Sequence, residues 1–120
     1  DTVVLLDNEV LGKPKSAEQA RTMLDKLSNR THTVASGIAV TTKAEGICSA
    51  VDTCEVTFAK LDLALIDHYI ARYEPFDKAG GYGVQDLIGF SGVTSLNGSY
   101  FTVMGLPTHL LFNLLNNLKS

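Results

Sequence analysis

The sequence predicts a mixed α/β domain in which helices pack on a twisted mixed sheet, and three observations carry that expectation. β-branched runs alternate along the chain with segments whose apolar residues recur at helical spacing. Turn-forming residues separate several of the β-prone runs, so at least part of the sheet is antiparallel. The 120 residues are 45% hydrophobic and 19% charged, enough for one buried core and too apolar for disorder. Residues 1–120 therefore read as one domain or part of one.

Element by element, "DTVVLLDNEVLG" reads as a strand, a tight turn at Asp7-Asn8 and a short returning strand, ended by Lys13-Pro14. "SAEQARTMLDKLS" opens on a Ser16-x-x-Gln19 capping box and sets Ala17, Ala20, Met23, Leu24 and Leu27 on one helical face. "HTVASGIAVTT" and "ICSAVDTCEVTFA" flank the turn-like "KAEG", which predicts an antiparallel hairpin with Cys54, Val56 and Phe58 on one face. Asp52 shares their register and breaks the apolar pattern; a strand-end or sheet-surface acid is the plainer reading, a place facing a cleft the other. Asp62 caps a helix over "LALIDHYIARY", whose stripe is Leu65, Ile66, Tyr69 and Ile70, leaving His68 to solvent. A glycine-rich loop follows, then "GVTSLNGSYFTVMG" with Asn97-Gly98 as a hairpin turn. Thr108 caps a last helix, in which Leu110, Leu111, Leu114, Leu115 and Leu118 form a core-facing stripe. His109 near its start has a surface or packing role.

Charge and hydropathy exclude several functions. Thirteen acids against ten Lys and Arg give a net charge of -3, with the cations scattered, which argues against a nucleic-acid partner. No run approaches the roughly 18 apolar residues of a membrane span, and no basic-then-apolar leader is present, so the expected location is the cytoplasm. The chain opens directly on an apolar strand without a Met, which suggests that the natural protein has residues upstream. Cys48 and Cys54 lie on one extended strand, roughly 20 Å apart, too far for a mutual disulfide. They read as small buried hydrophobes rather than as a metal pair.

Polar groups at the edges of apolar elements are the candidates for chemistry: Asp1 before "TVVLL", Lys13 in "LGKP", and Asp77, Lys78 and Gln85 in "EPFDKAGGYGVQ". "GGYG" lacks the spacing of a dinucleotide fingerprint and of a phosphate-binding P-loop, and no serine nucleophile elbow or H-E-x-x-H helix occurs. Taken singly, each candidate also has a structural reading as a turn, cap or solvated residue.

Together, "DTVV…LGKP", "HTVASGIAV", "EPFDKAGGYGVQ" and "GSYFTVMGLP" stand in the order of the hallmark segments of the Maf family, and the chain resembles that family over essentially all of its length. The resemblance implies a nucleoside triphosphate pyrophosphatase that hydrolyses dTTP or UTP to the monophosphate and pyrophosphate. It implies that Asp1 accepts a proton from water or binds a divalent metal, Mg or Mn, and that Lys13 lies near the triphosphate. It also implies that Gln85 and Thr2 select the base. The chemistry suits these side chains, because cleavage next to the α-phosphate needs aligned water and neutralised charge more than a covalent nucleophile. The Gln85 amide offers a donor beside an acceptor, as the exposed edge of uracil or thymine does. Glycines 80, 81 and 83 allow close backbone approach or positive φ. Asp77 and Lys78 either orient the loop or touch the ligand. A homodimer is implied by the resemblance alone.

The family's Ser-x-Ser-Pro-Arg-Arg phosphate-binding loop has no counterpart in these residues, so the resemblance is to the C-terminal portion of a Maf-like domain. Phe76 stands where methionine is frequent and Gly81 where alanine is frequent, and "GLPTH" departs from the commoner ending. The missing loop leaves open an alternative, a non-catalytic nucleotide- or protein-binding module related to septum formation. A related subgroup that acts on methylated bases is disfavoured by Gln85.

Overall fold

The computed structural model describes residues 2–44 and 46–119, with side chains as far as residue 116. Five strands form one sheet in the order β2-β1-β3-β4-β5, and every pairing among them is antiparallel. The α/β class thus holds, with helices interspersed among the strands, but the sheet expected to be mixed has only antiparallel pairings among the described residues, because each pair of sheet neighbours runs up and down. β1 (Thr2–Leu6) and β2 (Glu9–Leu11) are joined through Asp7 and Asn8. Both turn residues take positive φ, 49° and 68°, the combination whose twist matches the flanking strands of a two-residue hairpin.

Helix α1 (Ala17–Leu27) begins as its capping residues dictate. Ser16 Oγ accepts the Gln19 N–H at 3.1 Å, and Gln19 Oε1 accepts the N–H of Lys15 at 2.9 Å. Ala20, Leu24 and Leu27 are buried while Ala17 is exposed, so the inward stripe starts one turn later than its spacing predicts. β3 (Thr31–Thr42) and β4 (Gly46–Phe58) make a long hairpin in which Ser36 faces Asp52 and Val34 faces Cys54. Cys54, Val56 and Phe58 are buried as expected, whereas Cys48 is only half-buried. In α2 (Leu63–Tyr73), Asp62 Oδ1 accepts the Ala64 N–H at 3.2 Å, and Ile66, Tyr69 and Ile70 are buried.

Two expectations fail beyond the glycine-rich loop. After α3 (Leu87–Gly92) and β5 (Val93–Asn97), the chain enters helix α4 (Tyr100–Met104) instead of returning as a hairpin strand. Ser99 is the reason: its Oγ accepts the Phe101 N–H at 3.2 Å and its carbonyl accepts the Thr102 N–H at 3.1 Å, so helix nucleation wins over strand return. The last helix, α5 (Thr108–Lys119), includes Thr108 as its first residue, and the Pro107 carbonyl receives the first helical bonds, from Leu110 and Leu111. Its leucine stripe is not a buried one. Leu110, Leu111 and Leu114 are half-buried and Leu115 is exposed, and the strongest contacts of α5 are with β3 and β4 rather than with the helices that cover the core. The Leu118 side chain lies outside the described residues.

The core is one cluster between the sheet and helices α1 and α2, joining Val4, Leu24, Leu27, Val34, Val56, Phe58, Ile66, Tyr69 and Ile88. Each such side chain contributes about 1.5–3 kcal/mol of transfer free energy, offset by the conformational entropy lost on folding. Among the described residues no helix is long and apolar enough to cross a membrane.

Candidate functional site

A cleft of about 550 Å³ opens beside this core, with the ends of β1 and β2, helix α2 and the glycine-rich loop as its walls. Thr2, Lys13, Asp77, Lys78 and Gln85, all candidates from the sequence, line it together. Asp1 lies outside the described residues. Sequence reasoning missed Tyr69, Tyr73, Tyr82, Asp86, Val103 and Met104, which complete the walls.

Backbone chemistry explains why three distant segments meet there. The loop continues as a single 3₁₀ turn (Ala79–Gly81) in which Gly80 has φ 71° and donates its N–H to the Gly12 carbonyl at 3.0 Å. That bond ties the "LGKP" turn to the loop, so Lys13 and the Asp77-Lys78 pair share one rim. A side chain at position 80 would take an unfavourable φ and place Cβ 3.1 Å from Val4 in β1. Pro14, which is buried, biases Lys13 toward extended backbone and leaves its side chain exposed at the cleft. At Gly83 a Cβ would lie 2.9 Å from both Lys78 Cε and Asp86 Oδ2, so the missing side chain is what lets the Lys78 stem cross the loop.

Asp86 fixes the loop from behind. Its Oδ2 accepts the Tyr69 hydroxyl at 2.5 Å and the Gly83 N–H at 2.9 Å, while Oδ1 is buried without a partner among the described residues. Burial first, and then the bond to Asp86, push the Tyr69 hydroxyl well above its usual range, so it stays a donor at neutral pH. Asp77 Oδ1 stands 3.7 Å from Lys78 Nζ at the exposed mouth, a solvent-screened pair. Lys13 and Lys78 thus bring two cations to one rim, and Asp77 opposes only the second.

Beneath the cleft lies a buried aromatic cluster, from which Tyr82 reaches the lining. The Tyr82 hydroxyl is 2.6 Å from His32 Nε2, and Phe58 packs edge-on against both rings at 5.0 and 4.9 Å between centroids. Burial raises the Tyr82 hydroxyl and lowers His32 to about 4, so both groups are neutral at neutral pH and share a single hydrogen, while His32 Nδ1 is buried without a partner among the described residues. Tyr69 and Tyr73 stack at 5.3 Å along one side. Behind Thr2 runs a polar connection that includes Asp52, which is neither a strand-end nor a purely surface acid. Its Oδ2 accepts the Thr102 hydroxyl at 2.6 Å and lies 3.4 Å from His109 Nε2. The apolar-pattern break at position 52 was the signal for this, and the partner on α4 was not visible in the sequence.

The chain matches the family model described as Maf-like protein over residues 1–118. It is 52% identical over 119 residues to a dTTP/UTP pyrophosphatase of Phocaeicola vulgatus, an alignment covering 98% of this chain and 61% of that protein. It is 47% identical to proteins of the same name from Porphyromonas gingivalis, with 94% of this chain and 56% of that protein covered, and from Flavobacterium psychrophilum, with 98% and 60%. The chain thus spans 56–61% of the length of these relatives. A family match over almost every residue, together with the cleft that unites the hallmark segments, establishes that this chain belongs to the Maf family.

Proposed function

We propose that the whole protein is a nucleoside triphosphate pyrophosphatase that hydrolyses dTTP and UTP to the monophosphate and pyrophosphate. The observation that carries the reading is the convergence of Thr2, Lys13, Asp77, Lys78 and Gln85 on one cleft, in a chain about half identical to proteins named for that activity. In this reading Lys13, and Lys78 beside it, draw the triphosphate to the cationic rim. Gln85 pairs with the polar edge of the base, and Val103 and Met104 exclude water from the apolar wall. Asp1 takes a proton from the attacking water or holds a divalent metal.

Among the described residues no three His, Cys, Asp or Glu side chains cluster as a metal site. Mg²⁺ needs less than that, since one or two carboxylates with substrate phosphates and water complete its octahedron. Asp77, which lines the cleft, is a hard oxygen donor of that kind and Asp1 is another by its chemistry, and a bound Mg²⁺ or Mn²⁺ would neutralise charge on the phosphates. Asp86 fits less well, because Tyr69 and Gly83 already hold one of its oxygens.

Pyrophosphate release by the full-length protein with dTTP, UTP, CTP and 7-methyl-GTP tests the reading. dTTP and UTP are expected to be preferred, and a strong preference for 7-methyl-GTP would overturn the base assignment. Asp1→Asn is expected to lower turnover by roughly 10²–10⁴ with the fold intact. Comparable turnover by that variant removes Asp1 from the reaction.

A further inference from the structure

We propose that Ser36, which is buried and takes no part in the cleft wall, is a positioning residue that makes the Thr2 hydroxyl an obligate hydrogen-bond acceptor and so selects uracil and thymine over cytosine. The inference rests on the reading of the cleft as a pyrimidine nucleotide site.

Thr2 Oγ1 and Ser36 Oγ are 2.9 Å apart, and Ser36 Oγ is also 2.8 Å from the Thr102 carbonyl oxygen. A carbonyl only accepts, so the single Ser36 hydrogen points to Thr102. The hydrogen between Thr2 and Ser36 must then come from Thr2. With that hydrogen spent behind it, Thr2 Oγ1 has only lone pairs to offer a molecule in the cleft it lines.

The surrounding structure keeps the direction from reversing. Ser36 is fully buried, so water does not supply it with another partner. The Thr102 carbonyl accepts the Gly105 N–H at 3.1 Å as well as the Ser36 hydroxyl, which fixes it at the end of α4. The Thr102 side chain is anchored separately, by its 2.6 Å bond to Asp52. The β1–β3 pairing sets Thr2 directly opposite Ser36, so the first bond follows from strand register alone.

An acceptor that cannot become a donor distinguishes the pyrimidines. Uracil and thymine carry a hydrogen on N3, whereas N3 of neutral cytosine is itself an acceptor. Opposed lone pairs leave both groups unsatisfied. If Thr2 were free to rotate, its hydroxyl could donate to cytosine or accept from uracil, and the discrimination would vanish.

Binding of UMP and CMP to the full-length protein, measured by calorimetry, reads base selection without requiring cleavage. UMP is expected to bind roughly tenfold tighter than CMP to the wild type, and the ratio to fall within about threefold in Ser36→Ala, which frees the Thr2 hydrogen. A preserved ratio in a folded Ser36→Ala, checked by its melting curve, overturns the proposal. Should that variant not fold, Ser36→Gly, which also frees the Thr2 hydrogen, takes its place with the same expected collapse of the ratio, and 3-methyluridine monophosphate, with N3–H replaced by methyl, is expected to bind the wild type roughly tenfold more weakly than UMP. Binding of the methylated nucleotide as tight as that of UMP, or a wild-type UMP to CMP ratio near one, also overturns it. Pyrophosphate release from UTP, assayed alongside, separates the two ideas. Release with an unchanged ratio in Ser36→Ala removes the Ser36 role alone, and base selection without release removes the catalytic reading alone.

Discussion

The long β3–β4 hairpin contains two regions of similar composition and opposite character. From Thr31 to Ser36 and from Asp52 to Phe58, inward residues are almost fully enclosed: His32, Val34, Ser36, Cys54, Val56 and Phe58. From Gly37 to Thr42 and Gly46 to Val51 the same alternation continues, yet Ile38, Val40, Cys48 and Ala50 reach only partial burial, and Ile47 and Val51 are exposed. The strands do not differ in β-propensity; their neighbours differ. β1 pairs with β3 only as far as Ser36, and β5 pairs with β4 only as far as Glu55, so the outer half is a two-stranded ribbon among the described residues. A two-stranded ribbon is marginal by itself, whereas the inner half is the middle of a sheet with helices on it. The polar pair Ser36 and Asp52, facing each other across the hairpin, marks the boundary, and the hydroxyl contacts behind Thr2 sit on it.

The strongest way to break this contrast is Phe58→Ala. Phe58 is buried against His32 and Tyr82, and its removal leaves a cavity under the cleft floor, with an expected cost of roughly 3–5 kcal/mol. Urea unfolding of the full-length protein measures it, and a loss below about 1 kcal/mol would show that the inner half is not core. Next in size is a pH effect. His32 falls to about 4 in the folded protein and lies near 6.5 in the unfolded chain, so the unfolded state takes up the proton first as pH falls. Stability from this group is fully present above pH 6.5, declines between 6.5 and 4, and is flat below. The total is on the order of 3 kcal/mol. His32→Phe should abolish the part of the slope in that window; an unchanged pH profile would exclude a buried neutral imidazole.

The sequence made legible what is locally encoded. Helices α1 and α2 carry their caps at Ser16 and Asp62 and their apolar stripes within a few residues, and the Asp7-Asn8 turn specifies its own hairpin. Helices α3 and α4 were not legible, because Leu87–Gly92 and Tyr100–Met104 are too short for a periodic signal and are set by a few close contacts such as the Ser99 cap. Gly89, for example, is so close to the Val84 carbonyl that any Cβ would collide with it. Of the cleft, the rim residues came from the ordered motifs, and their meeting point depends on the long-range bond from Gly80 to Gly12. Tyr69 was visible only as a helix-stripe residue, since its hydroxyl contact to Asp86 is tertiary. Asp52 was visible as an anomaly without an explanation.

The smallest expected effect gives the sharpest comparison, because one substitution can be made twice on one face of one strand. Val34 and Val40 both point to the inner side of β3, six residues apart, and valine to threonine keeps the shape while adding a hydroxyl. At Val34, 2% exposed at the base of the cleft and opposite buried Cys54, the hydroxyl is largely cut off from water, for an expected loss of roughly 1–3 kcal/mol. At Val40, half-buried opposite Cys48, water still reaches the new group, and the expected change is within about 0.5 kcal/mol. Strand propensity is nearly the same for the two residue types, so it cancels between the sites. A difference in unfolding free energy then reports enclosure alone. Equal losses at both positions would mean that the outer ribbon is covered as completely as the inner sheet, and the contrast between the halves would fall.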